Sequence, residues 1–178
     1  MWDYNSLEDM TADVDLVVRG RITGVYVGEM WRFNDFEPPA PHIYASVELT
    51  EVLKGLPLSR IPGAIEVTLA VVGFEFDVDA LQIPSEEYLW FLRHDAGWRA
   101  EIGKPPVQSA IAPFAYFRPN FHQTVLRNEG GAIGIIRKND VVNAYGNRIF
   151  PLGLEGRTFA NTLADVRSAV IAAPDVEN

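Results

Sequence analysis

Apolar and polar residues alternate in several short stretches of this chain, and helix-like segments stand at both ends. The clearest stretch is Ile65-Glu66-Val67-Thr68-Leu69-Ala70-Val71. A period of two gives a strand one buried face and one wetted face. The same reading places a first strand over about 15–27, with Leu16, Val18 and Ile22 on one side and Val17, Arg19, Arg21 and Thr23 on the other. Gly20 and Gly24 interrupt the apolar row, as glycines do where a strand bulges or a sheet bends sharply. A second strand is expected over about 44–53, with Ala45, Val47 and Leu49 inward. Its phase slips at Glu51, and a bulge near Thr50 would repair it. The third strand covers 64–72. The fourth, Tyr88-Leu89-Trp90-Phe91-Leu92, is apolar on both faces and needs a cover on its outer side.

Between these strands, residues 28–43 read as a long loop rich in proline and aromatic rings, and Lys54-Gly55-Leu56-Pro57 reads as a turn. Residues 97–127 give no clear pattern. A hairpin is expected from 132–137 and 141–145 around Lys138-Asn139-Asp140. Ser6 can cap a short helix over about 6–13, whose first turn carries Glu8 and Asp9. Phe159, Leu163, Val166 and Val170 make the apolar stripe of a last helix over about 159–173, the natural cover for the fourth strand. No repeat is visible. One domain over 1–178 is expected, an all-β (mainly β) OB-like β-barrel with a helix at each end.

Composition narrows the partners. The net charge of −9, with three lysines and scattered arginines, offers no basic stripe for nucleic acid or for an anionic membrane surface. No apolar run is long enough to span a bilayer, and Met1-Trp2-Asp3 does not begin a secretion signal. The absence of cysteine excludes disulfides, thiolate metal sites and cysteine nucleophiles.

The order of the parts carries a resemblance. A capped helix leads into Ala12-Asp13-Val14-Asp15-Leu16-Val17-Val18-Arg19-Gly20; Val47-Glu48-Leu49-Thr50-Glu51-Val52-Leu53-Lys54-Gly55 follows, then Glu87-Tyr88-Leu89-Trp90-Phe91-Leu92. Over roughly residues 6–92 this resembles the OB-type barrels related to tissue inhibitors of metalloproteinases and netrin C-terminal modules. It is most similar to their cysteine-free bacterial relatives, which are mostly exported. The resemblance implies the fold and a place outside the cell or in its envelope if a leader has been removed; otherwise the cytoplasm is expected. The animal inhibitors chelate a protease zinc through an N-terminal cysteine. This chain has none, so no inhibitory residue carries over.

Motifs for catalysis are weak. His42, His94 and His122 lack partners at zinc-ligand spacing, so no metal and no cofactor are expected. Glu75, Asp77 and Asp79 alternate along one strand face without the other ligands of a calcium loop, and read as a solvated edge. Glu86, Glu87 and Asp95 could supply paired acids but nothing in the sequence positions them. The aromatic loops are the most usable signal. Trp31, Phe33, Phe36 and His42 lie between the first two strands, and Tyr116, Phe117, Phe121 and His122 lie in the late connection. OB barrels bind ligands with the loop joining their first two strands and the one joining their last two, so these segments form a groove if both flank one face; the same rings could instead plug the open barrel end. The expected function is a non-enzymatic binding or interaction module of the bacterial cell envelope, for a protein or small ligand. The alternatives are a hydrolase using carboxylates and His122, and a structural assembly domain.

Overall fold

The computed structural model describes residues 4–31, 38–71, 82–105, 107, 109–119, 123–136, 140, 142 and 152–172, with the backbone alone at 31, 70 and 71. The Ser6 side chain accepts the Asp9 backbone N–H and opens helix α1 (Leu7–Asp13), which buries Leu7 and Met10. Among the described residues seven strands follow: β1 (Leu16–Trp31), β2 (Ala40–Lys54), β3 (Ala64–Val71), β4 (Tyr88–His94), β5 (Ala115–Phe117), β6 (Val125–Glu129) and β7 (Ala132–Gly134). Helix α2 (Asp95–Glu101) separates β4 from β5, and α3 (Phe159–Ala172) comes last. The fold is mainly β with a short helix near each end.

The strands form one sheet in the order β1-β2-β3-β5-β4-β6-β7, and β1 pairs with β4 as well as with β2. All of these pairings are antiparallel except β3 with β5. The phase slip read in β2 is a bulge at the expected place. Arg19 faces Glu51 and Gly20 faces Leu49, so Thr50 has no opposite number. The β1–β2 register shifts again between Ile22 and Gly24. Gly20 is required by packing: a Cβ there would lie 2.5 Å from the Glu48 carbonyl oxygen and 2.7 Å from Val47 Cγ1.

Both faces of the sheet are apolar where the strands cross. Leu16, Val18, Val47, Val67, Trp90 and Tyr116 meet on one face. Val17, Leu89, Phe91 and Leu126 are covered on the other by Met10 of α1 and by Phe159, Leu163 and Val166 of α3. β4 is therefore buried on both sides from Tyr88 to Leu92, and α3 is part of its cover, as its all-apolar sequence requires. Each such side chain contributes roughly 1.5–3 kcal/mol by leaving water.

One expectation is corrected. The loop expected over 28–43 is shorter, because β1 runs to Trp31 and β2 starts at Ala40, with Met30 opposite Pro41 and Trp31 opposite Ala40. Pro38 and Pro39 precede β2 and Pro41 is its second residue, where a strand tolerates proline. β7, which lies in the first arm of the hairpin expected over 132–145, pairs with the preceding β6 through Gly130 and Gly131, both at positive φ. Of the expected second arm, only Val142 is among the described residues, and it is in a turn. Helix α2, unseen in the sequence, is capped by His94, whose Nδ1 accepts the Gly97 N–H.

Candidate functional site

His42 stands on β2, fully buried, with Nδ1 3.1 Å from the Ala40 carbonyl oxygen and its ring 6.5 Å from that of Tyr44. Burial pushes its pKa down to about 4; the Ala40 carbonyl opposes this and the Arg99 charge adds to it. Tyr116 and Phe117 are neighbours on β5 and point to opposite faces, as consecutive strand residues must. Tyr116 joins the core, its ring 5.5 Å from His94. Phe117 is half-buried under α2, its ring 5.2 Å from Trp98. Trp31 is paired with Ala40 through its backbone; its side chain, Phe33, Phe36, Phe121 and His122 lie outside the described residues, as do Glu75, Asp77 and Asp79.

The carboxylates considered for chemistry are each held by an arginine. Glu87 accepts Arg19 Nη2 at 2.6 Å and the Thr50 hydroxyl. Glu86 accepts Arg127 Nη2 at 2.6 Å, and Asp95 accepts Arg99 Nε at 3.0 Å. Burial raises the pKa of Glu87, and the contacts of Thr50 and Arg19 more than reverse it, leaving the group below its ordinary range. Asp95 and Asp140 are pushed up, in both cases by burial. Among the described residues no three histidine or acidic side chains converge as a metal centre needs.

A third cluster lies on the outer side of β1, β2 and β3. Glu66 accepts Arg60 Nε at 2.7 Å and the Tyr26 hydroxyl, and Tyr26 stacks on Tyr44 with ring centroids 5.7 Å apart. Ile111 and Ala115, from the chain before and within β5, cover the two tyrosines. Burial works to raise the Glu66 pKa, but Arg60 and Tyr26 prevail and lower it.

Beside this cluster the β2–β3 connection makes a shelf that carries three exposed aliphatic side chains. Leu56 is 83% exposed, Leu58 41% and Ile61 54%. The shelf is fixed by hydrogen bonds. Leu58 N–H donates to the Tyr116 hydroxyl at 2.8 Å, and Ile61 N–H donates to Ser59 Oγ at 3.0 Å. The Ser59 hydroxyl reaches the carbonyls of Ile61 and Ala64. Leu49 N–H donates to the Gly63 carbonyl at 2.8 Å. Gly55 and Gly63 close its two ends at φ of 80° and 78°, values that favour glycine.

Sequence reading found the turn at 54–57 and missed the shelf. The signal available was three large aliphatic residues, Leu56, Leu58 and Ile61, in a connection between two well-patterned strands. Solvent-facing loops normally avoid such a group. No protein-family model matches the chain, and no curated protein sequence matches it either.

Proposed function

We propose that the chain is a non-enzymatic interaction module built on an OB-like barrel, with the β2–β3 shelf as its contact surface. The barrel reading is supported by the circuit of pairings β1-β2-β3-β5-β4-β1 and by the bulges at Thr50 and Thr23, which let long strands curl. The carrying observation is the shelf itself: Leu56, Leu58 and Ile61 lie in water on a loop held by the Tyr116 hydroxyl and by Ser59. Exposed apolar groups already fixed in place lose little conformational entropy when a partner covers them. The arginine engagement of Glu86, Glu87 and Asp95 favours this reading over the carboxylate hydrolase. The resemblance to netrin-like domains supports the cell envelope as its place.

The test replaces Leu56 and Ile61 with serine together. Thermal melting should stay within about 2 °C of the parent, because exposed side chains carry little folding energy. A protein partner recovered with the parent chain should be lost with the variant. Equal recovery by both would sink the shelf as the contact surface. Loss on replacing Trp31 and Phe117 with alanine instead would move the contact to the aromatic loops.

A further inference from the structure

β1 is longer than its neighbour on one side. Leu16–Gly20 pair with β4, while β2 accompanies the strand to Trp31 on the other side. Among the described residues, none pairs with the β4-side edge of β1 beyond Gly20. Residues 21–31 contain neither proline nor lysine, the usual guards of an open edge. Arg21, Thr23, Val27, Glu29 and Met30 along it are exposed, Val27 at 54% and Met30 at 64%; Glu29 Oε1 accepts the Ala110 N–H at 3.3 Å, which leaves Oε2 for a further donor.

The sequence of this edge is complementary to itself. Laid antiparallel on a second copy with Val25 opposite Val25, it sets Arg21 against Glu29 twice, once on each side of the two-fold axis. Thr23 then faces Val27, and Gly24 faces Tyr26. A Cβ on Gly24 would meet no atom within 4 Å, so a second strand can approach this point of the edge closely. Two of the four irregularities of β1 against β2, at Ile22/Gly24 and Val27/Met30, fall on either side of Val25.

We propose that the open edge of β1 is a strand-addition surface for a second copy of this chain, giving a two-fold dimer in register about Val25. Backbone hydrogen bonds supply the adhesion, and the reciprocal Arg21–Glu29 pairs fix direction and register. This inference is independent of the shelf, which lies on another connection.

The test is a charge swap read by sedimentation velocity at loadings from about 1 to about 200 µM, where a dimer of micromolar Kd changes population. The parent should show a concentration-dependent dimer. Arg21→Glu and Glu29→Arg each put like charges opposite one another twice and should weaken it about tenfold. The double variant R21E/E29R restores opposite charges and should recover the parent affinity within about threefold. Circular dichroism of all four proteins checks that the fold is kept. A parent that stays monomeric throughout overturns the proposal. So does a dimer that ignores both single changes, or a double variant as weak as the singles.

Discussion

The ammonium of Lys54, at the end of β2, lies 2.6 Å from the carbonyl oxygen of Val14, the residue that terminates α1. The same nitrogen donates to the carbonyls of Thr11 at 2.7 Å and Ala12 at 3.0 Å. A helix end leaves its last carbonyls without partners, and a cation there answers both the hydrogen-bond demand and the negative end of the dipole. Lys54→Met keeps the length of the stem and removes the donor. It should cost about 1–3 kcal/mol and lower the melting temperature by several degrees. Chemical denaturation with amide exchange should place the loss in α1. An unchanged melt would show that water serves these carbonyls equally well.

Gly20 tests the bulge. A methyl group at this position collides with the Glu48 carbonyl, which is backbone and cannot rotate away. Gly20→Ala should therefore destabilise by about 1–3 kcal/mol as an overpacked site does. Gly24→Ala, with open space around its Cβ, should cost far less. Urea midpoints of the two variants decide the matter, and equal effects would contradict the packing account.

Acid should weaken the protein through its paired glutamates. The Glu51 pKa is held down first by Arg167, with Arg19 assisting against burial. In Glu66 and Glu87 burial is outweighed by hydrogen bonds from Arg60 and Tyr26, and from Thr50 and Arg19. A carboxylate depressed in the folded state stabilises above its ordinary value of 4.5, and that contribution disappears as pH falls through the folded value. Asp95 and Asp140, raised by burial, act in the opposite sense. The urea midpoint should fall below about pH 4.5, and Glu51→Gln should flatten that fall.

His42 acts over a different window. Its ring stays neutral in the folded chain down to about pH 4, whereas an unfolded chain takes up the proton below 6.5. The unfolded state therefore binds more protons between these values, and stability falls as pH drops from 6.5 to about 4. His42→Gln should flatten this slope while leaving the acid limb below 4.5 in place. Proton NMR of the imidazole should show no titration midpoint above pH 5; a midpoint near 6.5 would refute burial as the governing influence.

Much of the architecture was legible because a few residues carried unambiguous constraints. Ser6 followed by Glu8 and Asp9 marked α1, and the misphased Glu51 located the bulge at Thr50. The doubly apolar β4 required a cover, and the stripe on α3 supplied part of it. Helix α2 escaped notice because its cap is a histidine side chain, an unusual cap, and because Gly97 sits within its short span. The extension of β1 and β2 escaped because prolines and rings mask the pairing of Val27 with Ile43. The site was less legible than the fold. His42 and Tyr116 were chosen for their chemistry, and both are buried, where their rings serve packing. Leu56 and Ile61 carry no chemistry of their own, so only their placement in water makes them informative.

The end of the chain is sewn to the β7 edge. Phe159 N–H donates to the Gly131 carbonyl at 2.8 Å, Ile133 N–H to that of Arg157 at 2.7 Å, and Gly156 N–H to that of Ile133 at 2.9 Å. α3 therefore cannot swing aside as a loose flap, since lifting its first turn strips the margin of the sheet as well. The helix and the β6–β7 hairpin should open as one cooperative block, with a common protection free energy for the amides of β6, β7 and α3.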